Sequence, residues 1–219
     1  MFIMAARNEN SILIFARAPV PGDVKTRLIP LLGAHGAAAL HRTLTEHALA
    51  VAHESGIGPV ELWCTPSIDD AFFHSCHERF KAELHAQCEG DLGMRMLDAF
   101  GDALGRSRHV LLTGSDCPSL TAADLWSAVR ALRDGRDAVF CPAQDGGYTL
   151  IGLTHAMPAL FDAMTWGTDI VMEETRQRLR NLGWRWHELP AHWDLDRPED
   201  YQRLVREGWI ANAKPGGQH

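Results

Sequence analysis

The chain has 219 residues, is 46% hydrophobic and 22% charged, and carries a formal net charge of −7, the profile of a soluble globular protein long enough for one sizeable core. The acidic balance argues against a broad nucleic-acid surface, and no run of about 18 consecutive apolar residues is present to span a membrane. The N-terminus lacks the basic start and cleavage site of a signal peptide, and five cysteines, odd in number and without a CxxC pair, point to reduced thiols in the cytoplasm.

Residues 11–18 (SILIFARA) form a short apolar run suited to a buried strand. A Pro/Gly-rich loop, APVPGDVKTRL, follows. Residues 36–54, rich in Ala, Leu and His and free of Pro, predict a helix closed by Gly56 and Gly58. A second strand is expected over 60–65, a second helix over 69–84 and a third over 92–104. The next strand is 110–113. A helix over 121–133 opens with Thr121 as its N-cap and Asp124 in the first turn. Strands 137–142 and 148–153 flank the loop AQDGG. A helix over 170–181 stops at Gly183, residues 184–189 alternate like a strand, and Pro198 begins a last helix over 198–207. This alternation predicts a three-layer α/β/α sandwich with a mostly parallel sheet, in one domain over 1–219 with a loose tail at 211–219. Sheets of this kind bind ligands beyond the carboxyl ends of their strands.

Four stretches carry chemistry. In ARAPVPGDVKTRL, directly after the first strand, Gly22 permits close backbone approach, and Arg17, Lys25 and Arg27 offer cations to a diphosphate or triphosphate. The stretch is neither a Walker A loop nor GxGxxG; the plain alternative is a surface loop with solvated cations. In LLTGSDCPSL, Asp116 stands at a strand's carboxyl end, a natural ligand for a hard cation such as Mg²⁺; the alternative is a turn aspartate before Pro118. In WDLDRPEDYQRL, Asp194 and Asp196 lie two apart and point the same way in an extended segment. Either can add a metal carboxylate, or Asp196 can cap the helix that follows. In QDGGY, Gly146 and Gly147 make either a plain hairpin turn or a bare wall against a sugar or acceptor, with Asp145 as hydrogen-bond acceptor or base.

Together, FARAPVPGDVKTRL, GDLGMRM, TGSDCPSL, DGGYTLIGL, TWGTDIV and DLDRPEDY resemble the bacterial DUF2064 family. Its members are labelled rSAM/selenodomain-associated transferase 1 or arsenosugar-biosynthesis-type glycosyltransferases, within the nucleotide-diphospho-sugar transferase superfamily and its GT-A fold. The chain is more distantly similar to 2-phospholactate and molybdenum cofactor guanylyltransferases. The resemblance implies a nucleotide and a divalent metal, Mg²⁺ or Mn²⁺, at the sheet's carboxyl edge. Asp116 and Asp196 match metal ligands, with Asp194 beside them. Lys25 and Arg27 match the phosphate loop, joined by Ala16, Arg17, Gly22, Arg95 and Ser115. Gly146, Gly147, Tyr148, Trp166 and Thr168 fall on the substrate or acceptor side, and Asp145 and Lys25 on the catalytic one. Arg197 stands where threonine is common, and Met94 where glutamate is common, so no acid is available at position 94.

The expected reaction is glycosyl transfer from a nucleotide-sugar to a small acceptor. The alternative is nucleotidyl transfer from an NTP to a phosphorylated small molecule with release of pyrophosphate. A non-catalytic nucleotide- or partner-binding module is a third reading. The segment HSCHERF is expected to be a partly exposed helix rather than a zinc site, and Cys117 a small apolar filler.

Overall fold

A computed structural model describes residues 7–209; the loose tail expected at 211–219 lies outside the described residues. The chain alternates strands β1 (Asn8–Arg17), β2 (Val60–Thr65), β3 (Glu83–Ala86), β4 (Ser107–Gly114), β5 (Ala138–Pro142), β6 (Tyr148–Leu153) and β7 (Trp186–Glu188) with helices α1 (Ile29–Ser55), α2 (Ala71–Phe80), α3 (Leu92–Arg106), α4 (Ala122–Arg133), α5 (Val171–Leu182) and α6 (Pro198–Arg206). Short 3₁₀ turns at Thr26–Leu28 and Pro158–Leu160 complete it. The strands form one sheet in the order β3-β2-β1-β4-β6-β5-β7. β6 runs antiparallel to both neighbours, and all other pairings are parallel, as the alternation predicted.

The pleat sorts the core into two layers. On β1, Ile12, Ile14 and Ala16 face one apolar cluster with Leu49 of α1, Phe73 of α2 and Leu125 of α4. Leu13 and Phe15 face the other, with Phe100 of α3 and Leu179 of α5. A third cluster joins Leu28, Leu40 and Leu44 to Trp193, Leu195, Tyr201 and Leu204. It fastens the 193–195 segment and α6 against α1. Among the described residues no helix is long and apolar enough to cross a membrane.

Two elements differ from expectation. The helix expected from residue 36 begins at Ile29, with Pro30 in its first turn, and is broken where Gly33 takes φ 70° and ψ 165°. The helix expected over 69–84 ends at Phe80, where Lys81 turns left-handed (φ 56°) and its N–H donates to His77 O. Residues 83–86 (ELHA) instead form an edge strand on β2. Four polar-interrupted residues carry no strand pattern of their own, so pairing decides their state.

Gly152 of β6 shows how tightly the sheet centre is filled. A methyl there would lie 2.5 Å from Leu111 Cδ2 and 2.6 Å from Val139 Cγ1, on the two strands that flank it. Gly152→Val should therefore lower stability by about 1–3 kcal/mol through overpacking, read as a lower denaturant midpoint at unchanged m-value.

Candidate active site

β1 is flanked by β2 on one side and β4 on the other. The chain steps outward through β2 and β3 and then returns to β4, so the strand order reverses between β1 and β4, where α/β sheets open a ligand crevice. The loop after β1 carries Arg17, Gly22, Lys25 and Arg27, and the loop after β4 carries Ser115 and Asp116. They meet through an ion pair. Lys25 Nζ lies 2.9 Å from Asp116 Oδ1, and the lysine side chain is only 5% exposed against 47% for the aspartate. The same ammonium donates to the carbonyl of Leu195, and Leu195 N–H donates to Asp116 O at 2.8 Å. Lys25 reaches this position from a left-handed backbone, φ 48° and ψ 41°.

His41, buried on α1, completes the junction. Its Nε2 is 2.9 Å from Arg17 O and its Nδ1 3.8 Å from Asp116 Oδ1. A carbonyl only accepts, so Nε2 donates there. Desolvation works against ionisation of Asp116, but the Lys25 charge and the His41 ring outweigh it and hold the carboxyl well below the usual carboxylate range. Ser115, buried, adds a weak hydroxyl contact to Oδ1 at 3.4 Å. Asp116 Oδ2 has no hydrogen-bond partner among the described residues.

Beyond this junction, on the β4–β6 side, lies a cavity of about 300 Å³. Asp116, Asp145 and Asp194 face it from three separate segments, with Tyr148, Trp166 and Thr168 on other walls. Burial, then the charges of Asp145 and Asp116, push the Asp194 carboxyl up to about 6. The turn that presents Asp145 is tightly determined. Gly147 N–H donates to Asp145 Oδ1 at 3.0 Å, Ala143 N–H to Gly147 O at 2.9 Å, and Met172 N–H to Gly146 O at 2.8 Å. Gly146 has φ +92°, and a side chain there would fall on the Asp169 carbonyl. The stretch QDGGY is thus both a hairpin turn and part of the cavity wall.

The Tyr148 ring meets Trp166 edge-on, with centroids 6.5 Å apart at 88°, and burial pushes its phenol up, so the hydroxyl stays protonated. Trp166 fits because residue 93 is glycine: a methyl there would lie 2.9 Å from its Cζ2. Thr168 donates its hydroxyl to Thr165 O at 2.8 Å.

The remaining candidates fall elsewhere. Ala16 is buried at the end of β1. Arg17, Gly22 and Arg27 lie exposed on the loop, and Arg27 pairs with Asp196. Asp196 is not on the cavity wall, whereas Asp194, two residues earlier, is. Asp196 does not cap α6 either. Arg197 is the N-cap, and the Asp200 carboxylate accepts from the N–H groups of Asp196 (3.1 Å) and Arg197 (2.7 Å). Arg95 donates to Gly90 O at 3.1 Å and does not line the cavity. Lys25, expected on the phosphates, has its ammonium sequestered by Asp116 and Leu195.

Sequence reasoning missed His41 and the Leu195 carbonyl, whose roles depend on contacts across α1 and the 193–195 segment. It also missed Leu92, which lines the cavity from inside the GDLGMRM stretch. His192 lies 2.9 Å from Ser119 Oγ through Nδ1 and 3.4 Å from Asp124 Oδ2 through Nε2. Cys117 is buried and borders the cavity, and the described cysteines are all free. HSCHERF lies in α2, with Cys76 in the core.

Asp116, Asp145 and Asp194 bring carboxylates, the oxygen donors that a hard divalent cation takes, to one cavity from separate segments. The described residues whose ligand atoms all lie within 4.8 Å of one another are instead Glu61, His85 and Asp102, with Glu61 near the start of β2, away from this cavity. Arg106 bridges the two carboxylates of that group, 3.0 Å from Glu61 and 2.5 Å from Asp102.

Two outcomes follow from the charges. Lys25→Met leaves Asp116 without its buried counter-ion and should cost about 1–3 kcal/mol in chemical denaturation, less than for a fully buried pair because Asp116 is half-exposed. The Asp194 carboxyl is raised in the folded state, so ionising it destabilises the fold as pH rises from its ordinary 3.8 through about 6. Asp194→Asn should therefore stabilise the metal-free protein by about 1 kcal/mol at pH 7, allowing for partial exposure, with the gain vanishing below about pH 4 in a thermal-melt series.

Residues 48–168 match the model of a family described as an uncharacterized protein conserved in bacteria, DUF2064. No curated protein matches the sequence significantly. Among solved structures, a candidate nucleotide-diphospho-sugar transferase from Desulfovibrio desulfuricans G20 is 30% identical with a TM-score of 0.84, over 94% of this chain and 90% of that one. The 4-diphosphocytidyl-2C-methyl-D-erythritol synthase of Anaerococcus prevotii DSM 20548 is 11% identical with a TM-score of 0.63, over 93% and 99%. Glucosyl-3-phosphoglycerate synthase of Mycobacterium tuberculosis, solved with Mn²⁺, UDP and glucosyl-3-phosphoglycerate, is 11% identical with a TM-score of 0.56, over 94% and 82%. The last two share the fold with this chain. The family match spans more than half of the sequence, and a relative at 30% identity covers nearly all of it: the chain belongs to the DUF2064 family and has the nucleotide-diphospho-sugar transferase fold.

Proposed function

We propose that the protein is a metal-dependent glycosyltransferase that moves a sugar from a nucleotide-sugar to the hydroxyl of a small acceptor. The observation that carries this reading is the Lys25–Asp116 junction between a basic loop after β1 and a carboxylate-lined cavity after β4. A diphosphate on the first half would present its sugar to the second. Relatedness to a candidate nucleotide-diphospho-sugar transferase supports the reading.

The chain's own groups divide the work. Arg17 and Arg27 remain exposed to hold phosphate oxygens, with Asp196 orienting Arg27. Lys25 and His41 keep Asp116 ionised and fixed. Asp116 and Asp194 would hold Mg²⁺ or Mn²⁺, which when bound neutralises charge on the leaving diphosphate. Asp145 keeps one oxygen on its own turn and has the other to accept the acceptor's proton. Tyr148, Trp166 and Thr168 wall the reacting groups from bulk water. The free cysteines suit a reducing compartment such as the cytoplasm.

The fold shared with a diphosphocytidyl synthase favours a second reading, nucleotidyl transfer from an NTP with release of pyrophosphate. A thermal-shift panel of NTPs and UDP-, GDP- and ADP-sugars, with and without Mg²⁺ or Mn²⁺, separates the two. Metal-dependent stabilisation by a nucleotide-sugar, abolished in Asp116→Asn, is expected. Stabilisation by an NTP alone with pyrophosphate release selects the second reading, and no metal-dependent shift with any nucleotide overturns both.

A further inference from the structure

The carboxyl edge of the sheet is divided by charge. The exposed cations Arg17 and Arg27 lie on the loop after β1. Across the junction, the described residues lining the cavity include three carboxylates and no Lys, Arg or His. Cations on neighbouring segments have partners of their own; Arg95, three residues from Leu92, donates to the Gly90 carbonyl at 3.1 Å and does not line the cavity. Lys25 is held by Asp116 and Leu195. Arg203 lies over Trp193 at 4.4 Å and bonds Glu207 at 2.8 Å. Arg178 bonds Glu174 at 2.6 Å and the Leu160 carbonyl at 3.2 Å. Leu92, Tyr148, Trp166 and Val171 give the wall an apolar and aromatic side, with Thr149 and Thr168 as its uncharged polar residues. Leu92 is 44% exposed, and Met94 and Ile170, exposed at 59% and 54%, flank this wall in sequence.

We propose that the acceptor entering this cavity is an uncharged or cationic hydroxyl compound with an apolar face, and that phosphorylated and carboxylated acceptors are excluded. The inference rests on the transferase reading above and narrows it. An anion placed here would meet three carboxylates on the wall and no Lys, Arg or His among the described lining residues. Lys25 meets the charge of Asp116 and a divalent ion would offset the other two, so no positive charge is left over for an anion, and the donor's phosphates add negative charge. At the short range of a small cavity such repulsion is worth at least a factor of about ten in affinity. A hydroxyl compound is served by the same wall: Asp145 accepts an O–H donor, and the Trp166 and Tyr148 rings take its C–H face, or a cationic group if it has one. The assignment also bears on the competing chemistry, because nucleotidyl transfer to a phosphorylated acceptor would bring a dianion to this wall.

The test uses matched pairs that differ in charge: glucose and glucose 6-phosphate, glycerol and glycerol 3-phosphate, choline and phosphocholine. Each is offered to the full-length protein holding Mn²⁺ and the nucleoside diphosphate that binds it best, with binding read by saturation-transfer NMR. The uncharged or cationic member of at least one pair should bind, and every phosphorylated member should bind about tenfold more weakly or not at all. Asp145→Lys should reverse the preference within that pair, and Trp166→Ala should weaken the preferred member while leaving nucleotide binding in place. Equal or tighter binding of the phosphorylated members overturns the assignment, as does failure of every uncharged and cationic member to bind. Nucleotide–metal binding is measured separately in the same samples by thermal shift. Its loss defeats the transferase reading, whereas an anion preference with that binding intact defeats only the acceptor assignment.

Discussion

One buried ammonium organises the carboxyl edge of this protein. Lys25 comes from the loop after β1, Asp116 from the loop after β4, and Leu195 from a segment some 170 residues later in the chain. A lysine taken out of water needs its charge and its N–H donors met. It obtains a carboxylate and a carbonyl here, and those two partners draw three distant segments to one point. The Leu195 N–H closes the ring by bonding the Asp116 carbonyl at 2.8 Å. His41 then ties Asp116 to the end of β1 through the Arg17 carbonyl. Fixing Asp116 in this way costs the phosphate loop one of its expected cations.

The junction also separates two electrostatic environments. On one side, arginines stand in solvent. On the other, three carboxylates share a partly buried cavity, and Asp194 resists ionisation because of burial and its acidic neighbours. An arrangement that stores repulsion in the absence of a ligand is typical of sites completed by a cation. The fold sustains it because the surrounding contacts are over-determined. Trp193 and Leu195 are anchored in the apolar cluster with α1 and α6, and Gly146 is pressed against Asp169 where α5 begins.

The relatives frame this reading without replacing it. A shared fold at 11% identity, with one neighbour bound to Mn²⁺ and UDP and another named as a diphosphocytidyl synthase, is compatible with more than one transfer chemistry. The cavity wall of this chain is acidic and aromatic, and function is argued from such a site rather than from the shared fold.

The sequence by itself determined the three-layer fold. Apolar runs, caps and stops such as Thr121, Gly56 and Gly183 act within a few residues, so their consequences can be read locally. It also singled out Asp116, Asp145 and Asp194, which the fold brings to one cavity, and Asp196, which it does not. Only the tertiary structure decided how they are used. Asp194 reaches the cavity, whereas Asp196 pairs with Arg27. Lys25 turns inward to Asp116, and ELHA becomes a strand only because β2 offers an edge. Each of these outcomes depends on a partner far away in sequence, and a charge or an unpaired backbone group is satisfied by whatever the fold brings near, which spacing along the chain does not record.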